Sequence, residues 1–128
     1  MDLKPRHYGI IVLVLATAFL HFGAAFDPRL YEAGHQLPDP LFALNGVGYL
    51  GLLLAYFLPV RFLQERHRLV WWILLAYVIV TILAWVGIWV GINVIGNGVP
   101  FFGPDSDYGV PAKIAEVILL FFLWRDRQ

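Results

Sequence analysis

The chain has 128 residues, 60% of them hydrophobic and 14% charged, with zero formal net charge and no cysteine. So little charge cannot cover a water-facing surface on one small domain, and the deficit is accounted for if the outside faces lipid. Without cysteine there are no disulfides, no thiolate catalysis and no cysteine-type zinc or iron–sulfur sites, and without a basic surplus a nucleic-acid partner is disfavoured.

Four apolar stretches predict four transmembrane helices. The first, residues 8–26, has 19 residues, close to the roughly 20 that cross a hydrocarbon core. Preceded by Lys4 and Arg6 and followed by Gly23-Ala24-Ala25, it resembles a signal peptide with a cleavage site, but it is read as a retained first helix. Residues 27–40, DPRLYEAGHQLPDP, form a loop of 14 residues rich in proline, glycine and acid.

The second stretch, 41–58, contains Gly46-Val47-Gly48-Tyr49-Leu50-Gly51, which spells G-x-G-x-x-G. A dinucleotide site needs a preceding strand and an acid about 20 residues on. Inside a membrane span, the better reading is close helix packing, with Val47, Gly51 and Ala55 on one side. The basic segment with Arg61, Arg66 and Arg68 leads to the third stretch, 70–95, whose 26 residues must tilt or project beyond the bilayer. Gly87 and Gly91 within it form a second packing face, internal or between subunits.

Residues 96–109 make another loop of 14. Its end, Asp105-Ser106-Asp107-Tyr108-Gly109, starts like a calcium loop with Glu116 at the twelfth position, but Val110 occupies the obligatory glycine position. Pro111 is expected to start the last helix. The fourth stretch, 110–124, is short at 15 residues.

Seven cations (Lys4, Arg6, Arg61, Arg66, Arg68, Arg125 and Arg127) fall on one side of these spans, and Arg29 alone among the loop cations falls on the other. That split places the first group in the cytoplasm. Tyr8, Trp71, Trp72, Tyr108 and Trp124 sit at span ends as expected interfacial anchors. The predicted architecture is therefore all-α: one integral membrane four-helix bundle in the cell (inner) membrane, both termini cytoplasmic, with two longer non-cytoplasmic loops.

Intramembrane polar residues give the main functional signal. His21, Asn45, Asn93, Lys113 and Glu116 come from all four helices and fall roughly 3 to 9 Å below the outer boundary, at 1.5 Å per residue. Such groups are costly and normally face the bundle interior with partners. Lys113 can snorkel outward, although it is expected near a helix N-terminus that repels it. Glu116 must pair with Lys113, accept hydrogen bonds from His21, Asn45 or Asn93, or be protonated. The layer reads either as a packing clamp or as an outward-facing site for an ion, a proton or a polar head group. No matching layer is evident on the cytoplasmic side.

Of the four histidines, only His21 lies in a span, so haem, which would need facing axial pairs, is disfavoured. His21 and His35 are weak candidates for a metal, and His7 and His67 read as part of the solvated basic flank. There is no catalytic constellation. The first expectation is a non-enzymatic accessory or structural subunit acting through helix packing. It would meet lipid, other membrane subunits or a second copy through Gly87 and Gly91, or Gly51 and Ala55. The alternative is a small ion-, proton- or lipid-head-group-binding protein or transporter using the polar layer, and the third a haem- or quinone-associated redox component.

Overall fold

The computed structural model describes residues 3–127 and contains no strand among them. Its helices are α1 (Pro5–Phe26), α2 (Pro28–Glu32), α3 (Pro40–Phe57), α4 (Arg61–Glu65), α5 (His67–Ala84), a π-helical continuation of α5 (Trp85–Gly96) and α6 (Pro104–Asp126). Three helices, Pro5–Phe26, Pro40–Phe57 and His67–Gly96, are long and apolar enough to cross a membrane. At 23 residues α6 is one residue longer than α1, but Lys113 and Glu116 interrupt its apolar run.

Proline sets most helix starts. Asp27-Pro28, Asp39-Pro40 and Gly103-Pro104 each place an extended residue at the cap and proline in the first turn, where its missing N–H costs nothing. Asp39 accepts from the Leu41 and Phe42 N–H groups at 2.9 and 3.3 Å, relieving donors that the helix leaves unpaired. Pro28 and Pro59 end the preceding helices by holding Asp27 and Leu58 extended.

These starts revise the expected loops. Residues 27–40 include α2, and α6 begins at Pro104, seven residues before Pro111, which lies inside the helix. The cap at Gly103, with Asp105 and Asp107 in the first turn, favours the earlier start. Lys113 is therefore nine residues into the helix, beyond the reach of its positive end.

The 26-residue apolar stretch does not run as one long α-helix. From Trp85 onward the backbone winds with i→i+5 hydrogen bonds, ending with the Asn97 N–H on the Ile92 carbonyl at 2.9 Å. This wider winding takes up more residues per unit of length than an α-helix. Three glycines and six β-branched residues in 85–96 weaken the α-helical alternative.

Helix α1 is the central element, packed along both α3 and α6. Arg6 and His7 meet Asp126, while Tyr108 meets Asp27, so α1 and α6 run antiparallel. The Asp39 N–H donates to the Ala25 carbonyl at 2.8 Å, and Tyr56 reaches Asp126, which makes α3 antiparallel to α1. Ile10, Val14, Leu74, Val78, Leu119 and Leu123 fill the interior between these ends. The π segment makes no extended contact with α3 among the described residues, and that separation opens the cavity considered below.

Within the chain, the glycines at close helix contacts are not Gly51, Gly87 or Gly91. Gly51 and Gly87 are exposed, with no neighbour for a Cβ within 4 Å, and Gly91 meets only the Val86 carbonyl at 3.5 Å. Residues 47, 51, 54 and 58 form the outward stripe of α3. Close approach instead occurs at Gly46 on the Phe22 ring (3.0 Å), Gly48 on Tyr77, Gly9 on Phe122 and Gly109 on Trp85. Gly48→Leu should lose about 1–3 kcal/mol by overpacking against Tyr77, seen as a lower unfolding midpoint in detergent, whereas Gly51→Leu should leave the midpoint within error.

Tyr8, Trp72 and Trp124 project outward, as interfacial anchors should. Trp71 does not: it is buried, and its Nε1–H donates to the Leu123 carbonyl at 2.9 Å. Tyr108 is half-buried, its hydroxyl donating to Asp27 at 2.7 Å.

Candidate functional site

Near the Asp27 end, Glu116 is fully buried on the inner face of α6. Lys113, one turn earlier, donates from Nζ to Oε2 at 2.6 Å, and the Tyr49 hydroxyl donates to Oε1 at 2.9 Å. Thr81 Oγ1 lies 2.8 Å from the Tyr49 oxygen, so α3, α5 and α6 join through one chain of hydrogen bonds that polarise one another. His21, Asn45 and Asn93 are not partners of Glu116. Tyr49 takes that role, because it lies one turn below Asn45 on the inward face of α3.

A cavity of about 560 Å³ lies beside this chain, between α3 and the α5–π helix, with α1 and α6 behind. His21, Asn45, Asn93 and Lys113 all line it, whereas Glu116 sits behind the wall, joined to it through Lys113. His21 Nδ1 is 2.8 Å from the Thr17 carbonyl, which can only accept, so Nδ1 carries a proton; in the neutral ring Nε2 is then a free acceptor. Asn45 Oδ1 accepts from the Tyr77 hydroxyl at 2.5 Å, leaving its amide hydrogens available. The buried Nε1–H of Trp89, also on the wall, has no partner.

The rim is acidic. His35 meets Asp39 through Nδ1 at 2.9 Å and Asp105 through Nε2 at 3.0 Å, and its ring stacks on Phe42 with centroids 5.8 Å apart. With both ring nitrogens engaged, His35 does not join His21 at a shared coordination point. Among the described residues no group of three or more His, Asp or Glu side chains is placed to hold a metal ion. Burial raises the Asp105 carboxyl, against the opposing pull of His35. Beside them, hydrogen bonds from Arg29 and Tyr108 hold the Asp27 carboxyl far below the usual range.

A second polar cluster, not anticipated from sequence, lies at the opposite end. Asp126 is 9% exposed and accepts from Arg6, from His7 at 3.0 Å and from the Tyr56 hydroxyl at 2.5 Å. His7 is thus buried rather than solvated, and the half-buried His67 packs against Tyr56 in a tilted arrangement with ring centroids 4.5 Å apart. Tyr49 and Tyr56, two turns apart on α3, each donate to a carboxylate of α6. Between them lie Val14, Leu74, Val78 and Leu119, all 0% exposed, so the two clusters are separated by a dry apolar belt.

No family model, curated protein or solved structure matches the chain.

Proposed function

We propose that this protein is a four-helix membrane bundle, with α6 as the fourth span and both ends cytoplasmic, that binds the polar head of an uncharged amphiphile from the non-cytoplasmic side. The observation that carries the reading is the cavity of about 560 Å³, apolar over most of its wall, on which His21, Asn45, Asn93 and Lys113 converge. The seven-to-one split of cations supports the orientation.

The wall's chemistry selects the ligand class. The Lys113 charge is compensated by Glu116, His21 in its neutral form presents Nε2 as an acceptor, and Asn45 and Trp89 offer unpaired donors. Asp39 and Asp105 at the rim repel anions. A head carrying hydroxyl or carbonyl groups satisfies these donors and acceptors without burying a net charge. The apolar wall from Leu44, Val80 and Ile88 suits its hydrocarbon part. Transport across the bilayer is not part of the proposal, because among the described residues the belt between the two polar clusters is apolar apart from the lone buried hydroxyl of Thr17.

Ala84 lines the cavity from an exposed position on α5, so Ala84→Trp fills it without touching the core. Native mass spectrometry of protein extracted in mild detergent should find neutral lipid adducts on the wild type and lose them in Ala84→Trp. Identical adduct patterns on the two proteins would refute the assignment.

One observation favours an additional accessory role. Gly51 and Gly87 present small residues outward with nothing packed on them, a surface suited to another transmembrane helix.

A further inference from the structure

At the Asp126 end a separate cavity of about 850 Å³ opens between the starts of α1 and α5 and the last turns of α6. Among the described residues its walls carry Lys4, Arg6, Arg68 and Arg127 against a single carboxylate, Asp126. That carboxylate is already occupied by Arg6, His7 and Tyr56. Among the described residues, no carboxylate lies within ion-pair distance of Lys4, Arg68 or Arg127.

Basic residues on this side are what membrane topology demands, so their number alone argues nothing. Their placement does. Arg61 is paired with Glu65 and Arg66 lies over the Phe62 ring, both away from the cavity. Lys4, Arg68 and Arg127, without an ion-pair partner among the described residues, come from three separate segments of chain, and the Arg127 guanidinium is held 3.6 Å over the Trp124 ring. Trp72 and Trp124, 52% and 58% exposed, and Leu75 complete the wall on the lipid-facing side.

We infer that this cavity binds the phosphate of an anionic membrane lipid. Arg68 and Arg127 present planar forks suited to phosphate oxygens, and Lys4 adds a third cation. The tryptophans and Leu75 cover the glycerol and first acyl carbons, at the depth where interfacial aromatics reside. Basic pockets between helices at this level are suited to anionic head groups. A free phosphate ion would satisfy the cations but leave the aromatic wall uncovered, which favours the lipid as the source. This site is independent of the uncharged-ligand cavity at the other end.

The test uses native mass spectrometry of the full chain in detergent micelles, with added phosphatidylglycerol, phosphatidylcholine of the same acyl chains, or inorganic phosphate. Wild type should retain phosphatidylglycerol in preference to phosphatidylcholine. Arg68→Gln/Arg127→Gln should weaken that retention on the order of tenfold. Arg61→Gln/Arg66→Gln, the same charge change outside the cavity, should not. If the first pair loses its helical circular dichroism, Lys4→Gln/Arg127→Gln takes its place. Equal loss in the cavity and control pairs, or equal retention of the two lipids, overturns the site. Displacement of phosphatidylglycerol by millimolar phosphate that leaves its own adduct overturns the lipid as the source.

Discussion

Lys113→Met is expected to destabilise the protein by about 3–5 kcal/mol. Glu116 is 0% exposed and Lys113 only 11% exposed at the side chain. Removing the ammonium group leaves an interior carboxylate with the Tyr49 hydroxyl as its one remaining strong donor. The cost is that of an uncompensated buried charge rather than the net worth of the pair. Lys113→Met/Glu116→Leu should therefore recover most of the loss, since apolar replacement of a whole buried pair is often close to neutral. Unfolding by titration with a denaturing detergent, run as a double-mutant cycle, checks both statements. A single variant within about 1 kcal/mol of wild type would mean that Lys113 does not neutralise Glu116. The same experiment bears on ligand choice, because a compensated Lys113 is the reason the cavity is assigned an uncharged head.

Sequence patterning was most informative where periodicity and charge repeat many times. The long apolar helices follow from hydropathy, and the grouping of His21, Asn45, Asn93 and Lys113, which line one cavity, from their matched positions along the apolar stretches. The partners of those residues were far less legible. Tyr49 lies within Gly46–Gly51, where the glycines draw attention and a tyrosine looks like ordinary apolar filling; its role depends on α3 turning that face towards Glu116, which spacing on one helix cannot fix. Asp126 was hidden for the opposite reason. Flanked by Arg125 and Arg127, it reads as part of an exposed basic tail, yet α6 remains helical through it and points it at Arg6, His7 and Tyr56. The internal contact at Gly48 was illegible in the same way: Gly48 and Gly51 are chemically alike, and only the rotation of α3 decides which one meets Tyr77. Pairings between helices are long-range facts, whereas membrane spans are local ones.

Asp126 also gives the protein an acid-sensitive joint. Burial pushes its carboxyl up, but hydrogen bonds from Tyr56 and Arg6, together with His7, outweigh burial and hold it below the ordinary carboxylate value. A carboxylate whose folded pKa lies below its unfolded one contributes stability above the unfolded value, near pH 4, and loses it as pH falls through the folded value. The unfolding midpoint should therefore decline as pH is lowered below about 4, and Asp126→Asn should show a shallower decline over that range. At neutral pH Asp126→Ala should cost about 2–3 kcal/mol, less than the Lys113 variant because Arg6 stays partly hydrated when its partner is removed. Tyr56→Phe removes one donor and no charge, so it should cost about 1 kcal/mol at neutral pH and, by moving the folded pKa of Asp126 back towards its unfolded value, make the acid decline shallower than in wild type. Thermal unfolding in detergent from pH 7 to pH 3 separates these variants. Parallel curves for wild type and Asp126→Asn would show that the joint titrates elsewhere. Since Asp126 ties α6 to both α1 and α3, its protonation is expected to loosen this end of the bundle first, while the Tyr49–Glu116–Lys113 chain, across the apolar belt, continues to hold the other.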